Sequence, residues 1–166
     1  ITRESDHLKR KPGGPWYYEQ VELGFNYRMT EIQAALGLSQ LNRLDEFVER
    51  RNDLAQYYDE AFTSVPIKSQ HLPEEIYSAR HLYIIRVSKQ QHLNLFKTFR
   101  SKGIGVNLHY IPVHIQPYYQ NLGFQKGDFP EAEKYAEEAI SLPIYPTLSE
   151  ADQKKVVVTL KPLLQS

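Results

Sequence analysis

Residues 24–41 read G-F-N-Y-R-M-T-E-I-Q-A-A-L-G-L-S-Q-L, a turn-forming segment that leads directly into an apolar periodic run. Thr30 followed by Gln33 matches a capping box, in which the hydroxyl accepts the third helical amide and the Gln side chain reaches back. Beyond Thr30, apolar residues recur at helical spacing to about Phe62, with charged residues between them. This pattern predicts one long helix, either broken near Asn52 or packed against a second body.

The composition excludes several classes of protein. The chain has 166 residues, about one ordinary domain, with 20 basic and 20 acidic side chains and no cysteine. Balanced charge gives no electrostatic reason to expect nucleic acid or an anionic membrane as a partner. The absence of cysteine excludes thiolate nucleophiles and Cys-bound zinc. The polar start lacks the apolar core of a signal peptide, so we expect a cytoplasmic protein.

Strand and helix patterns alternate after the long helix. Residues 81–87, H-L-Y-I-I-R-V, predict a strand, and Ser88 begins a helix with Leu93, Phe96 and Phe99 on one face. Gly103 stands where a left-handed residue ends that helix. A second strand is predicted over residues 105–110.

The last part of the chain predicts two further helices. Pro130 suits the first turn of a helix that runs to about Ser141, with Ala139 and Ile140 facing inward. Residues 142–146 predict a short extended link, and Ser149 caps the final helix. The sum is an α/β protein of the two-layer kind, with helices packed on a small sheet.

The turn-rich loop K-P-G-G-P-W-Y-Y, residues 11–18, carries the single tryptophan, Trp16. It fits either a surface loop pinned by that ring or a lid or interface segment.

Asn26 and Arg28 precede the predicted helix start, where free amides and the macrodipole favour an anion. An amide donor and a guanidinium at this position could bind a phosphate. The alternative is structural, with Asn26 forming a turn and Arg28 pairing with Glu31. The residues alone favour neither reading.

His109 and Tyr110 stand at the end of a predicted strand that leads into a proline-rich loop. They fit a pocket wall that offers hydrogen bonds, or a half-buried structural histidine. His109 and His114 would point to opposite faces of a strand, so we predict no shared metal. None of the eleven lysines lies in the apolar or glycine-rich setting of a Schiff-base lysine, so no catalytic residue is predicted within the chain.

The segment over residues 24–41 resembles the helix entry of the DegT/StrS-type nucleotide-sugar aminotransferases. The similarity continues in S-A-R-H-L-Y-I-I-R-V (78–87), G-I-G-V-N-L-H-Y-I-P-V-H (103–114) and A-E-E-A-I-S-L-P-I-Y-P-T-L-S-E (136–150). The resemblance implies the C-terminal half of the aspartate-aminotransferase fold. In that arrangement, residues 1–62 form a connecting loop and a long interdomain helix, and residues 63–166 form a small α/β domain.

The resemblance also implies roles for particular residues. Asn26 and Arg28 match positions that contact the phosphate of pyridoxal 5'-phosphate across a homodimer. Asn107, His109 and Tyr110 match a segment that borders the nucleotide-sugar pocket. The implied reaction moves an amino group from glutamate to the C4 ketone of a UDP-linked sugar.

The chain departs from the family pattern in one respect. The family's Schiff-base lysine lies in a large domain that should precede Ile1, so the sequence reads as a piece of something longer. We therefore expect this chain alone to be inactive. The alternative is a non-catalytic binding or dimerisation module that keeps the sugar-nucleotide pocket wall.

Overall fold

The computed structural model describes residues 2–25 and 27–164. The backbone contacts divide the chain into two compact units, Ile1–Asn42 and Arg43–Ser166. This division falls earlier than the boundary after residue 62 that the sequence suggested, because the helix before residue 62 contributes to the core of the second unit. The assignment of residues 1–62 and 63–166 to separate functional parts stays a prediction.

The first unit contains an anchored loop and one helix. Thr2 and Glu19 pair as an antiparallel bridge, and a 3-10 turn covers Ser5–His7. The Glu19 carboxylate accepts hydrogen bonds from the Lys9 amide (2.7 Å) and from the Tyr17 hydroxyl (2.7 Å). Helix α1 spans Glu31–Leu41, and none of its residues is buried.

The predicted long helix is two helices. After α1 the chain turns at Asn42 and Arg43, and α2 spans Leu44–Phe62. Arg43 has φ −112° and ψ 8°, outside the helical region, so the helix cannot continue through it. The predicted break near Asn52 is therefore wrong: Asn52 lies within α2, where its amide nitrogen donates to the carbonyls of Val48 (2.9 Å) and Ser78 (3.0 Å).

The second unit is built from helices packed with a three-stranded antiparallel sheet. Its other helices are α3 (Lys89–Ser101), α4 (Pro117–Gln120), α5 (Pro130–Glu138) and α6 (Glu150–Leu164), and its strands are β1 (Lys68–Ser69), β2 (Tyr83–Arg86) and β3 (Ala139–Leu142). The strand order is β1-β2-β3, with Tyr83 opposite Leu142. Contacts join α2 to α6, α3 to α6 and β3, and α5 to β2. The predicted α/β class is confirmed.

The core of this unit draws on every layer. Its fully buried side chains come from α2, the sheet, α3, the segment after α3, and α6: Leu54, Tyr58, Ile85, Leu95, Phe99, Val106, Ile140, Val156 and Leu160. The buried Gln153 side chain donates to the carbonyl of Leu54 (2.6 Å), which ties α6 to α2. Leu93, predicted on the inner face of α3, is exposed; Leu95 takes that place.

Several predicted ends of helices are confirmed. Ser88 and Ser149 accept hydrogen bonds from the amides of Gln91 and Asp152, as N-caps do. Pro130 is in the first turn of α5. Gly103 follows α3 with φ +72°, the left-handed value that glycine adopts most easily.

One strand prediction and one helix prediction are wrong. Residues 105–110 form no regular strand; Asn107 makes a single antiparallel bridge with Ser141. The Asn107 carboxamide oxygen accepts from the Leu108 amide (2.9 Å), a local bond that competes with continued pairing. The helix predicted to reach Ser141 ends at Glu138, and Ala139–Leu142 form β3. All four residues of β3 are buried, so the strand lacks the alternation that marks a half-exposed strand.

The described residues include no helix that is both long and apolar enough to cross a bilayer.

Candidate functional site

The start of α1 carries the predicted capping box. The Gln33 amide donates to Thr30 Oγ1 (3.3 Å), and the Thr30 amide donates to Gln33 Oε1 (2.9 Å). Both reciprocal bonds are present, so this prediction is confirmed. The cap fixes where α1 begins and leaves other first-turn amides open to an anion.

Arg28 lies two residues before this cap, and its side chain is exposed. The Arg28–Glu31 ion pair that formed the alternative reading is not present, although both residues are described. The neighbouring Phe25 and Tyr27 rings stack on each other at 5.5 Å and are both exposed. Asn26, the other predicted phosphate contact, lies outside the described residues. Guanidinium groups and free amides at helix starts both bind phosphate in proteins, so the phosphate role of Arg28 stays a prediction.

Asn107 and His109 come together over the sheet. Main-chain hydrogen bonds in both directions join Asn107 to Ser141 of β3, at 3.3 and 2.8 Å. His109 Nδ1 lies 2.8 Å from the Ser141 hydroxyl, and His109 Nε2 lies 3.4 Å from Asn107 Nδ2. The strand residue Ser141 therefore anchors both candidate residues.

The contacts also assign the His109 tautomer. The Leu108 amide donates to Asn107 Oδ1, which identifies the other carboxamide atom as the nitrogen. An amide nitrogen can only donate, so His109 Nε2 accepts, and the proton of the neutral ring is on Nδ1, which donates to Ser141 Oγ. Both ring nitrogens of His109 are therefore engaged within this group.

Tyr110 completes this group of predicted residues. Its ring meets the His109 ring edge-on at 4.8 Å, and 70% of Tyr110 is exposed. The intermediate burial of His109 matches both readings that the sequence left open, a pocket wall and a half-buried structural histidine. The hydrogen bond to Ser141 holds the His109 ring.

Sequence reasoning missed Ser141, which it had placed at the end of a helix. The signal that could have found it is the apolar run A-I-S-L, residues 139–142, since a continuous apolar run is also typical of a fully buried strand. Ser141 is the one polar member of that run, and it is buried. A buried hydroxyl needs a partner, and here the partner is His109.

His114 has a different partner. It is buried, its Nε2 lies 2.8 Å from Glu133 Oε1, and its ring packs against Phe129 at 4.9 Å. The Gly127 amide donates to the same carboxylate oxygen (2.6 Å), and this bond, followed by the one from His114, lowers the pKa of Glu133. His114 thus holds the loop before α5 and does not join His109. Among the described residues there is no group of three or more His, Asp or Glu side chains that could hold a metal.

The fold recurs in solved aminotransferase structures. PseC of Helicobacter pylori, described as an aminotransferase involved in the biosynthesis of pseudoaminic acid, matches with TM-score 0.81 and 27% identity, over 95% of this chain and 43% of that one. Spr1654 from Streptococcus pneumoniae, solved in a PLP-form, matches with TM-score 0.82 and 34% identity, over 90% of this chain and 39% of that one. The chain therefore has an aminotransferase fold.

The chain belongs to the DegT/DnrJ/EryC1/StrS aminotransferase family, whose model matches residues 5–161. The spore coat polysaccharide biosynthesis protein SpsC of Bacillus subtilis is 35% identical over 159 residues, which is 92% of this chain and 41% of SpsC. The predicted family is confirmed. The chain spans about two-fifths of the length of the curated relatives it matches.

Proposed function

We propose that this chain is part of a pyridoxal-phosphate-dependent nucleotide-sugar aminotransferase. The reaction moves an amino group from glutamate to the C4 ketone of a UDP-linked 4-keto-6-deoxy sugar, for the synthesis of a surface polysaccharide or glycan. Family membership supports the reaction class, and the similarity to SpsC supports the polysaccharide setting. The hydrogen-bonded group of Asn107, His109 and Ser141 is the observation that carries the proposal, because Ser141 of β3 holds the polar side chain of His109, which in turn contacts Asn107.

The particular member we propose is a UDP-4-amino-4,6-dideoxy-N-acetyl-β-L-altrosamine transaminase of pseudaminic acid synthesis. The similarity to PseC supports this choice. Purified complete protein should aminate the matching UDP-4-keto sugar in preference to a TDP-linked analogue. Equal turnover of both sugars would contradict this assignment while leaving the reaction class intact.

The cofactor phosphate would be held by Asn26 and Arg28 together with the amides at the start of α1. When bound, pyridoxal phosphate supplies the electron sink for transamination. Arg28 would form charge-assisted hydrogen bonds with the phosphate, made across a homodimer. The PLP-form of Spr1654 supports the use of this cofactor.

Arg28→Ala in the complete protein tests the phosphate contact. We expect cofactor affinity to fall at least about tenfold, because charge-assisted hydrogen bonds to phosphate are lost. The measurement is equilibrium dialysis followed by cofactor absorbance. Arg43→Ala is the matched control, since Arg43 is also exposed but pairs with Glu46 instead. Equal retention of the cofactor in both variants would contradict the assignment of Arg28.

Asn107, His109 and Tyr110 would bind the nucleotide sugar. Asn107→Ala should raise the KM for the UDP-sugar about tenfold and change kcat little, as expected when a ground-state contact is removed. Asn94→Ala, at an exposed position of α3, is the matched control. Ser141→Ala should raise the KM in the same direction as Asn107→Ala, because His109 loses its hydrogen bond. An unchanged KM in both variants would contradict the substrate role.

None of the chain's own lysines is proposed to bond to the cofactor. All eleven are exposed except Lys161, which is half-buried, so none has the desolvated amine that this chemistry favours. Incubation of the 166-residue chain with pyridoxal phosphate, then borohydride and mass spectrometry, should trap no specific lysine adduct, and no amino group should be transferred. A single modified lysine together with transamination would contradict this proposal.

The second candidate is a non-catalytic binding or dimerisation module. The exposed apolar side chains of residues 23–41 support the dimerisation part of this candidate, because large exposed apolar patches mark association sites. We propose a cytoplasmic homodimer, and light scattering should find self-association of the chain. Binding of the UDP-sugar with no transamination by the complete protein would favour the module.

A further inference from the structure

The turn after α3 brings Val106 next to the last turn of that helix. The Ile104 amide donates to the Phe99 carbonyl (2.9 Å), and the Gly103 amide donates to the Arg100 carbonyl (3.0 Å). These are the two hydrogen bonds of a Schellman motif, which ends a helix at a left-handed residue. The chain that leaves this turn passes the side chain of Arg100 at Val106.

The Arg100 side chain binds the main chain at this point. Its Nη2 donates to the Val106 carbonyl at 2.7 Å. Val106 is buried, and a buried carbonyl needs a hydrogen-bond partner, which the guanidinium supplies as a charge-assisted donor. The guanidinium carbon also lies 5.6 Å from the centre of the Phe96 ring, one turn earlier on α3, which is a cation–π distance. Two contacts therefore hold the guanidinium, although Arg100 as a whole is exposed.

The peptide between Val106 and Asn107 is held on both sides. Its carbonyl accepts from Arg100 of α3, and its N–H, which belongs to Asn107, donates to the Ser141 carbonyl of β3 (3.3 Å). A trans peptide is planar, with C=O and N–H pointing in opposite directions, so bonds at both ends fix the orientation of the plane. The Asn107 carbonyl in turn accepts from the Ser141 amide (2.8 Å). The backbone is thus fixed on both sides of the Asn107 Cα, and with it the direction of the bond to the Asn107 side chain.

We propose that Arg100 is a positioning residue for the candidate substrate-binding group of Asn107 and His109, a role that rests on the proposed function. Arg100 acts through the Val106–Asn107 peptide. If the carbonyl loses its donor, the peptide plane rotates more freely, and the Asn107 carboxamide leaves its place 3.4 Å from His109 Nε2. Binding side chains depend on partners that hold them in place. The expected consequence is weaker binding of the nucleotide sugar.

Steady-state kinetics of the complete protein test this role. Arg100→Ala should raise the KM for the UDP-sugar about three- to tenfold and change kcat little, because Arg100 influences substrate binding through Asn107. Arg100→Lys keeps a cationic donor, so its KM should lie closer to that of the parent protein. Lys97→Ala is the matched control, since Lys97 is an exposed cation on the same helix. Its KM should equal that of the parent protein.

A double-variant cycle distinguishes positioning from a general loss of structure. Asn107→Ala removes the carboxamide that Arg100 positions, so adding Arg100→Ala to it should change the KM by less than about twofold. A general loss of structure, or a direct contact between Arg100 and the substrate, would instead multiply the two effects. Multiplied effects, or a KM of Arg100→Ala equal to that of the parent protein, would overturn the proposal.

Hydrogen exchange of the 166-residue chain tests the contact without substrate. The Asn107 amide should exchange at least about tenfold faster in Arg100→Ala than in the parent chain or in Lys97→Ala, while the amides of β2 keep their protection. Unchanged exchange at Asn107 would overturn the positioning role, whatever the substrate is. An unchanged KM in Asn107→Ala would instead contradict the proposed function, and faster exchange at Asn107 would still support the positioning role.

Discussion

Helices α1 and α2 have apolar residues at the same helical spacing, but only α2 buries any of them. In α1, Ile32 is 83% exposed and Leu36 is 63% exposed, whereas in α2 Leu54 and Tyr58 are almost fully buried. The difference is that α6 packs on α2, while no residue of α1 is buried. An apolar stripe therefore predicts a helix and one of its faces, but it does not identify what covers that face.

The largest expected effect concerns packing. Phe99→Ala should lower the free energy of unfolding of residues 43–166 by about 3–5 kcal/mol, because it leaves a cavity in a closed core. Leu36→Ala in α1 should change it by less than about 0.5 kcal/mol. Urea unfolding followed by circular dichroism measures the change in the free energy of unfolding for both variants. Equal losses would show that α1 is also covered in solution.

The buried amide of Gln153 comes next. Gln153→Ala removes its 2.6 Å hydrogen bond to the Leu54 carbonyl and should cost about 1–3 kcal/mol. Gln56→Ala is the matched control, since the Gln56 amide binds the exposed side chain of Glu60. The same urea titration applies, and a neutral Gln153→Ala would mean that α2 and α6 are held by apolar contacts alone.

The N-caps of α1 and α3 test whether the two units unfold separately. Ser88→Ala should lower the stability of the second unit by about 1 kcal/mol, because it removes the cap of α3. Thr30→Ala should leave that unit unchanged and instead increase hydrogen exchange in the first turn of α1. A loss of stability of the second unit in Thr30→Ala would indicate that the two units unfold together.

The smallest expected effect concerns the contribution of Glu133 to stability, and it should appear only at acidic pH. The pKa of Glu133 is lowered in the folded chain by the Gly127 amide and then by His114, so its contribution is present above the unfolded value of 4.5 and is lost as pH falls through the folded pKa. Stability should therefore fall less between pH 6 and pH 3 in Glu133→Gln than in the parent chain. Glu131→Gln, exposed in the same helix, is the control. Parallel pH curves would contradict the role of Glu133.

The sequence predicts the helices of the second unit well, because their caps and apolar faces are local signals. Ser88, Pro130 and Ser149 each stand where a helix begins. β3 was missed because its burial on both faces removes the alternating pattern, and β1 has only two residues. Both depend on pairing with β2, which no local window contains.

The sequence predicts the members of the candidate site but not the contacts that hold them, because those contacts join distant parts of the chain. Asn107, His109 and Tyr110 were identified as a group, but their anchor, Ser141, is 32 residues from His109 along the chain. The tautomer of His109 follows from that contact and from the Asn107 carboxamide, and neither can be read from spacing. The sequence also leaves open whether Arg28 pairs with Glu31, and the structure has no such ion pair between these two described residues.

The contacts of Arg51 should hold the second unit together even after its chain is cut. Its Nη1 lies within 3.3 Å of three carbonyl oxygens, those of Arg80 and His81 before β2 and that of Ile144 after β3. One guanidinium thus joins α2 to the segment before β2 and to the segment after β3 by hydrogen bonds alone. A protease that nicks the exposed segment 74–77 should leave two pieces that migrate together on a native gel and separate only in denaturant.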